Sequence, residues 1–139
     1  MYNRETGAVG LMLRRIREGR EMNRLGSMHI AVVNVGEFYY VQHWNTKIAI
    51  GKRGELPFAA RTCGWNTVTT LNILRCLGFR LETKRIVIGR RMNESTHRMN
   101  NIYDSVLHID GKPMIDSEGD VNYNAWWGHG GLYTTSNFF

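Results

Sequence analysis

Residues 28–60, MHIAVVNVGEFYYVQHWNTKIAIGKRGELPFAA, decide the fold. Four short runs rich in β-branched and aromatic residues occur in this stretch, at 28–35, 38–43, 47–50 and 56–60. Turn signals separate them at Gly36-Glu37, at Asn45-Thr46 and at 51–54. Consecutive strands joined by tight turns usually pair with each other, so the stretch predicts an antiparallel β-meander of three or four strands.

Two amphipathic helices are predicted on either side of this meander. The first covers residues 8–24, and its apolar face consists of Val9, Met12, Leu13 and Ile16. The second covers residues 67–77, and its apolar face consists of Val68, Leu71, Leu74 and Leu77. Thr67 is the expected N-cap of this second helix, and Gly78 is the expected stop.

The C-terminal half of the chain predicts two hairpins and an aromatic tail. The first hairpin covers residues 79–91 and turns at Thr83-Lys84, and a polar loop or short helix follows at 93–101. The second hairpin, 106–115, turns at Asp110-Gly111, and Pro113 places its returning strand at a sheet edge. The last twenty residues mix glycine with aromatic side chains, which we expect to pack on this domain or on a partner.

These elements predict a single α+β domain spanning residues 1–139. Its expected parts are a basic N-terminal helix (8–24), a meander, helix and hairpin (28–91), and an acidic hairpin with an aromatic, glycine-rich tail (92–139). The chain has 139 residues, 42% of them hydrophobic, which is typical of one globular domain. Its two cysteines, without a secretory pattern or a long apolar segment, predict a cytoplasmic protein with no membrane partner.

Positive charge is concentrated in two segments of the chain, whose formal net charge is +6. Residues 1–25 carry six arginines against three glutamates, and residues 47–98 carry eleven Lys and Arg against three glutamates. Residues 99–139 carry one lysine against five acids. This distribution favours an anionic partner, although a solvated basic surface has the same composition.

The candidate contact residues follow from this charge pattern. Arginine is suited to phosphate because its planar fork matches two phosphate oxygens, and aromatic rings can stack on nucleic-acid bases. The predicted partner- or phosphate-binding residues are Arg14, Arg15, Arg17, Arg20, Arg24, Lys52, Arg53, Arg80, Lys84, Arg85, Arg90 and Arg91. The predicted aromatic contacts are Tyr39, Tyr40, Trp44, Trp126 and Trp127.

The middle of the chain carries a distinctive string. Tyr39-Tyr40 and Asn45-Thr46 are followed at 64–70 by Gly-Trp-Asn-Thr-Val-Thr-Thr, a turn that leads into the second helix. Residues 37–91 thereby resemble an uncharacterised domain of tailed-phage proteins. The resemblance implies a phage origin. Together with the small size and the basic charge of the chain, it favours a phage-encoded, non-catalytic accessory protein that binds a host protein or nucleoprotein complex in the infected cell. An anti-defence or host-takeover inhibitor acting on nucleic-acid machinery fits this description, and direct binding of DNA or RNA is the alternative.

Catalytic and metal-binding patterns are weak in this sequence. None of the five histidines stands four residues from another, and Cys63 has no local nucleophile signature. The acidic run 116–120 departs from a calcium loop in the place of its glycine and in its last ligand. We therefore expect no catalytic residues, no metal and no cofactor, and a small hydrolase or metal-dependent enzyme is the third alternative.

Overall fold

The computed structural model describes residues 7–25, 29–116, 118–129 and 131–133. The helices in these ranges are α1 (Gly7–Glu18) and α2 (Val68–Cys76). The strands are β1 (Met22–Leu25), β2 (Ile30–Val35), β3 (Phe38–His43), β4 (Thr46–Lys52), β5 (Ala59–Ala60), β6 (Leu81–Asn93), β7 (Arg98–Ile109), β8 (Lys112–Pro113), β9 (Trp126–Gly128) and β10 (Gly131–Tyr133).

The strands form two antiparallel sheets. The larger sheet has the order β1-β2-β3-β4-β5-β9-β10. The predicted meander corresponds to β2–β5, while β1 adds a strand that was not predicted and the C-terminal segment completes the sheet. The smaller sheet has the order β6-β7-β8, with β8 and its Pro113 at the edge as expected. The predicted α+β class is therefore confirmed.

Both helices share one apolar core with the larger sheet. Met12 and Ile16 of α1 and Leu74 of α2 belong to the same buried cluster as Val41 and Ile48 of the sheet. Along β3 the buried positions alternate with half-buried ones, because successive side chains of a strand point to opposite faces. This alternation decides which aromatic residues of the meander reach the surface.

Helix α1 is shorter than predicted, and the expected extension to residue 24 is wrong. Gly19 has a left-handed backbone with φ of 70°, and its N–H donates to the carbonyl of Ile16. The N–H of Arg20 donates to the carbonyl of Arg15, which completes a Schellman stop. Arg20 therefore follows the helix, and Arg24 lies on β1.

Helix α2 begins and ends where the sequence predicts. The Thr67 hydroxyl accepts a hydrogen bond from the N–H of Thr70, and Gly78 follows the helix with φ of 102°. The predicted apolar face is partly wrong, because Val68 is 75% exposed and Ile73 occupies the core instead. Val68 is the first helical residue, and the buried positions of α2 begin at Thr70.

The predicted hairpin turn at Thr83-Lys84 is wrong. Strand β6 runs without a break from 81 to 93 and pairs along its whole length with β7, so residues 98–101 are strand and not loop. A two-residue hairpin turn needs left-handed residues, which Thr83 and Lys84 disfavour. The Asn93 side-chain oxygen instead accepts hydrogen bonds from the N–H groups of Ser95 and Thr96, and the turn at 94–97 begins there.

Two smaller expectations have opposite outcomes. The strand predicted at 56–60 is reduced to Ala59–Ala60, because Pro57 lacks the N–H that a paired strand requires. The turn at Asp110-Gly111 is confirmed, with φ values of 52° and 82°. Residues 134–139 of the predicted aromatic tail lie outside the described residues.

Candidate nucleic-acid interface

A long two-stranded ribbon is the most exposed feature of the described chain. We call residues 84–105 of β6 and β7 the β-arm. Its base is anchored by Leu81, Leu107 and Ile109 in the core, but among residues 84–105 no side chain is buried. From Lys84 to Asn93 the ribbon extends about 30 Å, at roughly 3.3 Å per residue.

The register of the β-arm sorts its side chains into two faces. Directly paired residues share a face, and Ile88 is an extra residue that forms a bulge between Val87 and Gly89. One face, which we call the arginine face, consists of Arg85, Val87, Arg90, Met92, Met99, Asn101, Tyr103 and Ser105. It therefore carries two arginines and no carboxylate.

Contacts on the arginine face hold part of it in place. The Arg85 guanidinium lies over the Tyr103 ring, 4.4 Å from its centroid, and the Asn101 amide donates to the Tyr103 hydroxyl at 3.4 Å. A guanidinium stacked on an aromatic ring keeps its N–H groups at the ring edge available for an anion. Within the described ranges, no carboxylate lies within ion-pair distance of Arg85 or Arg90.

The base and the opposite face of the β-arm are electrostatically mixed. Glu82 binds the Lys84 ammonium at 3.3 Å and the Arg80 guanidinium at 3.8 Å. Arg91 and Arg98 lie on the opposite face, which also carries Asp104. The predicted contacts Arg80 and Lys84 are thus paired with an acid, whereas Arg85 and Arg90 are not.

The β-arm also exposes apolar side chains to an unusual degree. Its exposed large hydrophobic residues are Val87, Ile88, Met92, Met99, Ile102 and Tyr103. A ribbon of two strands has no second layer to cover such side chains, and exposed apolar patches of this kind mark interaction sites. The β-arm therefore combines free positive charge with apolar side chains along one projecting element.

The other predicted cations lie on the body of the protein. Arg14 and Arg17 are exposed on α1 and Arg15 is half-buried, and the side chain of Arg24 is not among those described. Arg17, Lys52 and Arg53 meet at a shallow hollow of about 690 Å³, so the two basic segments do share a surface there.

Acidic neighbours and backbone groups occupy much of this hollow. Glu18 and Glu37 line it, and Glu18 lies 3.9 Å from the Arg20 guanidinium. The Arg53 guanidinium donates to the carbonyls of Gly19 and Gly36 and so ties α1 to the turn after β2. The hollow is therefore less suited to an anion than the arginine face.

Three of the five predicted aromatic contacts are wrong. Tyr39 is 1% exposed and donates its hydroxyl to the carbonyl of Glu55, while Trp126 and Trp127 pack inside the sheet. Tyr40 is half-buried beneath the Lys47 ammonium. Only Trp44 of this set is largely exposed, at 52%.

Several residues of the β-arm were missed because residues 93–101 were predicted to be a loop. Arg98 and Met99 lie on β7, where the register places Met99 opposite Met92. A usable signal is present in the sequence. The polar run that starts at Asn93 is a better turn than Thr83-Lys84, because asparagine bonds to the backbone two or three residues ahead.

The remaining chemical candidates have structural roles in the described chain. The carboxylates of Asp116, Glu118 and Asp120 lie within 4.8 Å of one another. The Asp116 carboxylate, however, accepts hydrogen bonds from the backbone N–H groups of Glu118 and Asp120 and so caps its own turn. Burial raises the pKa of the Cys63 thiol, against a smaller opposite effect of the Arg61 guanidinium. A protonated thiol is a poor nucleophile.

The fold and the β-arm together define an antiparallel α+β protein with a projecting basic ribbon. The two described helices, of 12 and nine residues, are too short and too polar to span a membrane. No family model, curated protein or solved structure matches this chain. The resemblance to a tailed-phage domain therefore stays a prediction.

Proposed function

We propose that this protein binds double-stranded nucleic acid through the arginine face of its β-arm. The observation that carries the proposal is an exposed ribbon face with two unpaired arginines and no carboxylate. Sequence-independent binding depends on neutralising phosphates, and any acid on the contact surface would oppose it. The acid-free face is therefore the part of the described surface that best matches a phosphate backbone.

The dimensions and side chains of the β-arm also suit a duplex. The major groove of B-form DNA, about 12 Å wide, admits a two-stranded β-ribbon. Proteins that bend DNA insert apolar side chains such as methionine and isoleucine between base steps. Met92 and Met99 face each other near the tip and supply such side chains beside Arg90.

The apolar part of the β-arm favours a second candidate, a protein partner. Six exposed hydrophobic side chains would be covered equally well by the surface of a host protein, as the phage resemblance implies. That contact would depend mainly on apolar burial and only weakly on salt. A non-catalytic accessory protein that reaches nucleic-acid machinery is compatible with either partner.

Fluorescence anisotropy with a labelled 20-base-pair duplex at 50 and 200 mM salt tests the proposal. The test variant is Arg85→Gln with Arg90→Gln, and the matched control is Arg14→Gln with Arg17→Gln. Both double variants lose two exposed cations, so the net charge is the same in each. We expect the wild type to bind more weakly at 200 mM, and only the β-arm variant to lose affinity at 50 mM.

The salt dependence identifies the contacts. Each phosphate contact contributes about 0.9 to the slope of log K against log salt, so the β-arm variant should reduce the slope by about 1.8. Equal losses in the two double variants would mean that binding follows net charge and not the arginine face. Absence of duplex binding at 50 mM would refute the proposal and leave a protein partner.

A further inference from the structure

A second candidate site lies at the other end of α2 from the β-arm. A cleft of about 590 Å³ opens between the turn that joins β3 to β4 and the N-terminal end of α2. Two tryptophans, Trp44 and Trp65, line it, and Ile48 and Thr70 are buried at its floor. No aspartate, glutamate, lysine or arginine is among its lining residues. The volume is in the range of small-molecule sites.

Trp44 is held in position by a strained turn. Its backbone is left-handed with φ of 56°, which is rare for a bulky residue and indicates local strain. The Trp44 N–H donates to the carbonyl of His29 at 3.0 Å, and its own carbonyl accepts from the Gln42 amide. The His29 ring stacks on the indole at 3.6 Å between centroids and supports it.

Trp65 is projected by a second strained turn. Cys63 and Gly64 have φ values of 51° and 83°, and the Trp65 N–H donates to the carbonyl of Thr62, as in a type I′ turn. The carbonyl of Tyr123 accepts the N–H of Cys63 and fixes the turn to the body. Trp65 is 63% exposed, so its ring contributes little to the core.

Hydrogen bonds make the floor of the cleft rigid. The Thr67 hydroxyl donates to the Thr70 hydroxyl at 3.0 Å, and Thr70 lies 2.9 Å from Nδ1 of His43. Burial lowers the pKa of His43, with a further contribution from His29. The imidazole is therefore neutral near pH 7, and the cleft carries no formal charge.

We propose that this cleft binds a nucleobase, stacked against the indoles of Trp44 and Trp65. The exposed aromatic walls favour a flat ring, and the uncharged lining favours a neutral one. Thr46 places a hydroxyl group among the lining residues, where the polar edge of a base needs a partner. A chain of net charge +6 attracts the phosphate that accompanies the base.

A cationic ligand fits these observations less well. Aromatic cages do bind quaternary ammonium groups, but the basic chain repels a cation and the cleft offers no carboxylate to offset this repulsion. The base can belong to a free nucleotide or to an unpaired position in a strand. Both sources present the same ring to the cleft, and the ligands used in the test separate them.

Titrations followed by tryptophan fluorescence test the inference, because two of the four tryptophans line the cleft and two are buried. The ligands are AMP, CMP, a single-stranded dT octamer and an abasic octamer of the same charge. The variants are Trp44→Ala, Trp65→Ala and Trp65→Phe, with Val68→Ala as a control at an exposed residue outside the cleft. Circular dichroism of each variant verifies folding.

We expect a ligand with bases to quench the fluorescence and the abasic octamer to leave it unchanged. Either alanine variant should weaken binding roughly five- to hundredfold, since stacking on one aromatic ring contributes an affinity of this size. Trp65→Phe should retain most of the binding, and it keeps the test decisive if Trp44→Ala disturbs its strained turn. Binding of AMP or CMP would identify free nucleotides as ligands, and binding of the octamer alone would identify a strand.

Two results would overturn the inference. The first is equal affinity for the abasic and the dT octamers, which would show that phosphate and not base is bound. The second is undiminished binding in both alanine variants. The β-arm variant Arg85→Gln with Arg90→Gln should retain cleft binding, so that failure of the duplex proposal and failure of this one are distinguishable.

Discussion

Removal of the outer β-arm separates its function from the stability of the body. The change replaces residues 87–103 with Asn-Gly. It joins Ile86 to Asp104, which already face each other in the register, through a two-residue turn that suits a hairpin. The buried core cluster includes Leu81 and Leu107 but no residue from 82 to 105. We therefore expect the free energy of unfolding to change by less than about 0.5 kcal/mol.

The same deletion has a measurable expected effect on duplex binding. It removes Arg90 from the arginine face, and one lost phosphate contact reduces the salt slope by about 0.9. Between 50 and 200 mM salt, the wild type should therefore lose roughly three- to fourfold more affinity than the deletion variant. Urea unfolding measures the stability, and anisotropy at the two salt concentrations measures the binding.

Either of two outcomes refutes this reasoning. A stability loss above about 1 kcal/mol would show that the β-arm supports the body, contrary to the exposure of its side chains. An unchanged salt slope would show that Arg90 does not contact phosphate. The Arg85→Gln, Arg90→Gln variant keeps the complete ribbon, so it distinguishes a loss of charge from a loss of the β-arm.

Three further predictions concern the body of the protein. Gly51→Ala should destabilise the fold by about 1–3 kcal/mol, because a Cβ there would lie 2.7 Å from the Tyr39 hydroxyl and 2.8 Å from the backbone of Pro57. Thr67→Ala should cost about 1 kcal/mol through loss of the helix N-cap. His43 has a lowered pKa in the folded state, so stability should fall as the pH drops below about 6.5, where the unfolded chain takes up a proton that folded His43 resists.

Urea unfolding with matched variants checks all three predictions. Gly89→Ala is the control for Gly51→Ala, because its Cβ would meet only Ile102 at an ordinary 3.9 Å. Thr67→Ser keeps the capping oxygen and should retain the stability that alanine loses. His43→Asn should show a smaller loss of stability between pH 7.5 and 5.5 than the wild type. An equal loss of stability between pH 7.5 and 5.5 in the variant and in the wild type would contradict the assignment to His43.

Local signals in the sequence determined much of this fold. The Thr67 cap and the Gly78 stop define α2, and the Asp-Gly turn at 110–111 defines the β7–β8 hairpin. The meander follows from short β-branched runs separated by turn residues. Each of these features depends on interactions within a few residues of the chain, which a sequence pattern records directly.

Only the tertiary structure decided the β-arm and the cleft. Thr83-Lys84 remains in a strand because it pairs with residues 106 and 107, more than twenty positions away. Trp44 and Trp65 are likewise 21 positions apart, and they line one cleft only because the N-terminal end of α2 lies beside the β3–β4 turn. Whether an aromatic residue is buried like Tyr39 or exposed like Trp44 depends on strand register and packing, which are non-local interactions that local propensity does not record.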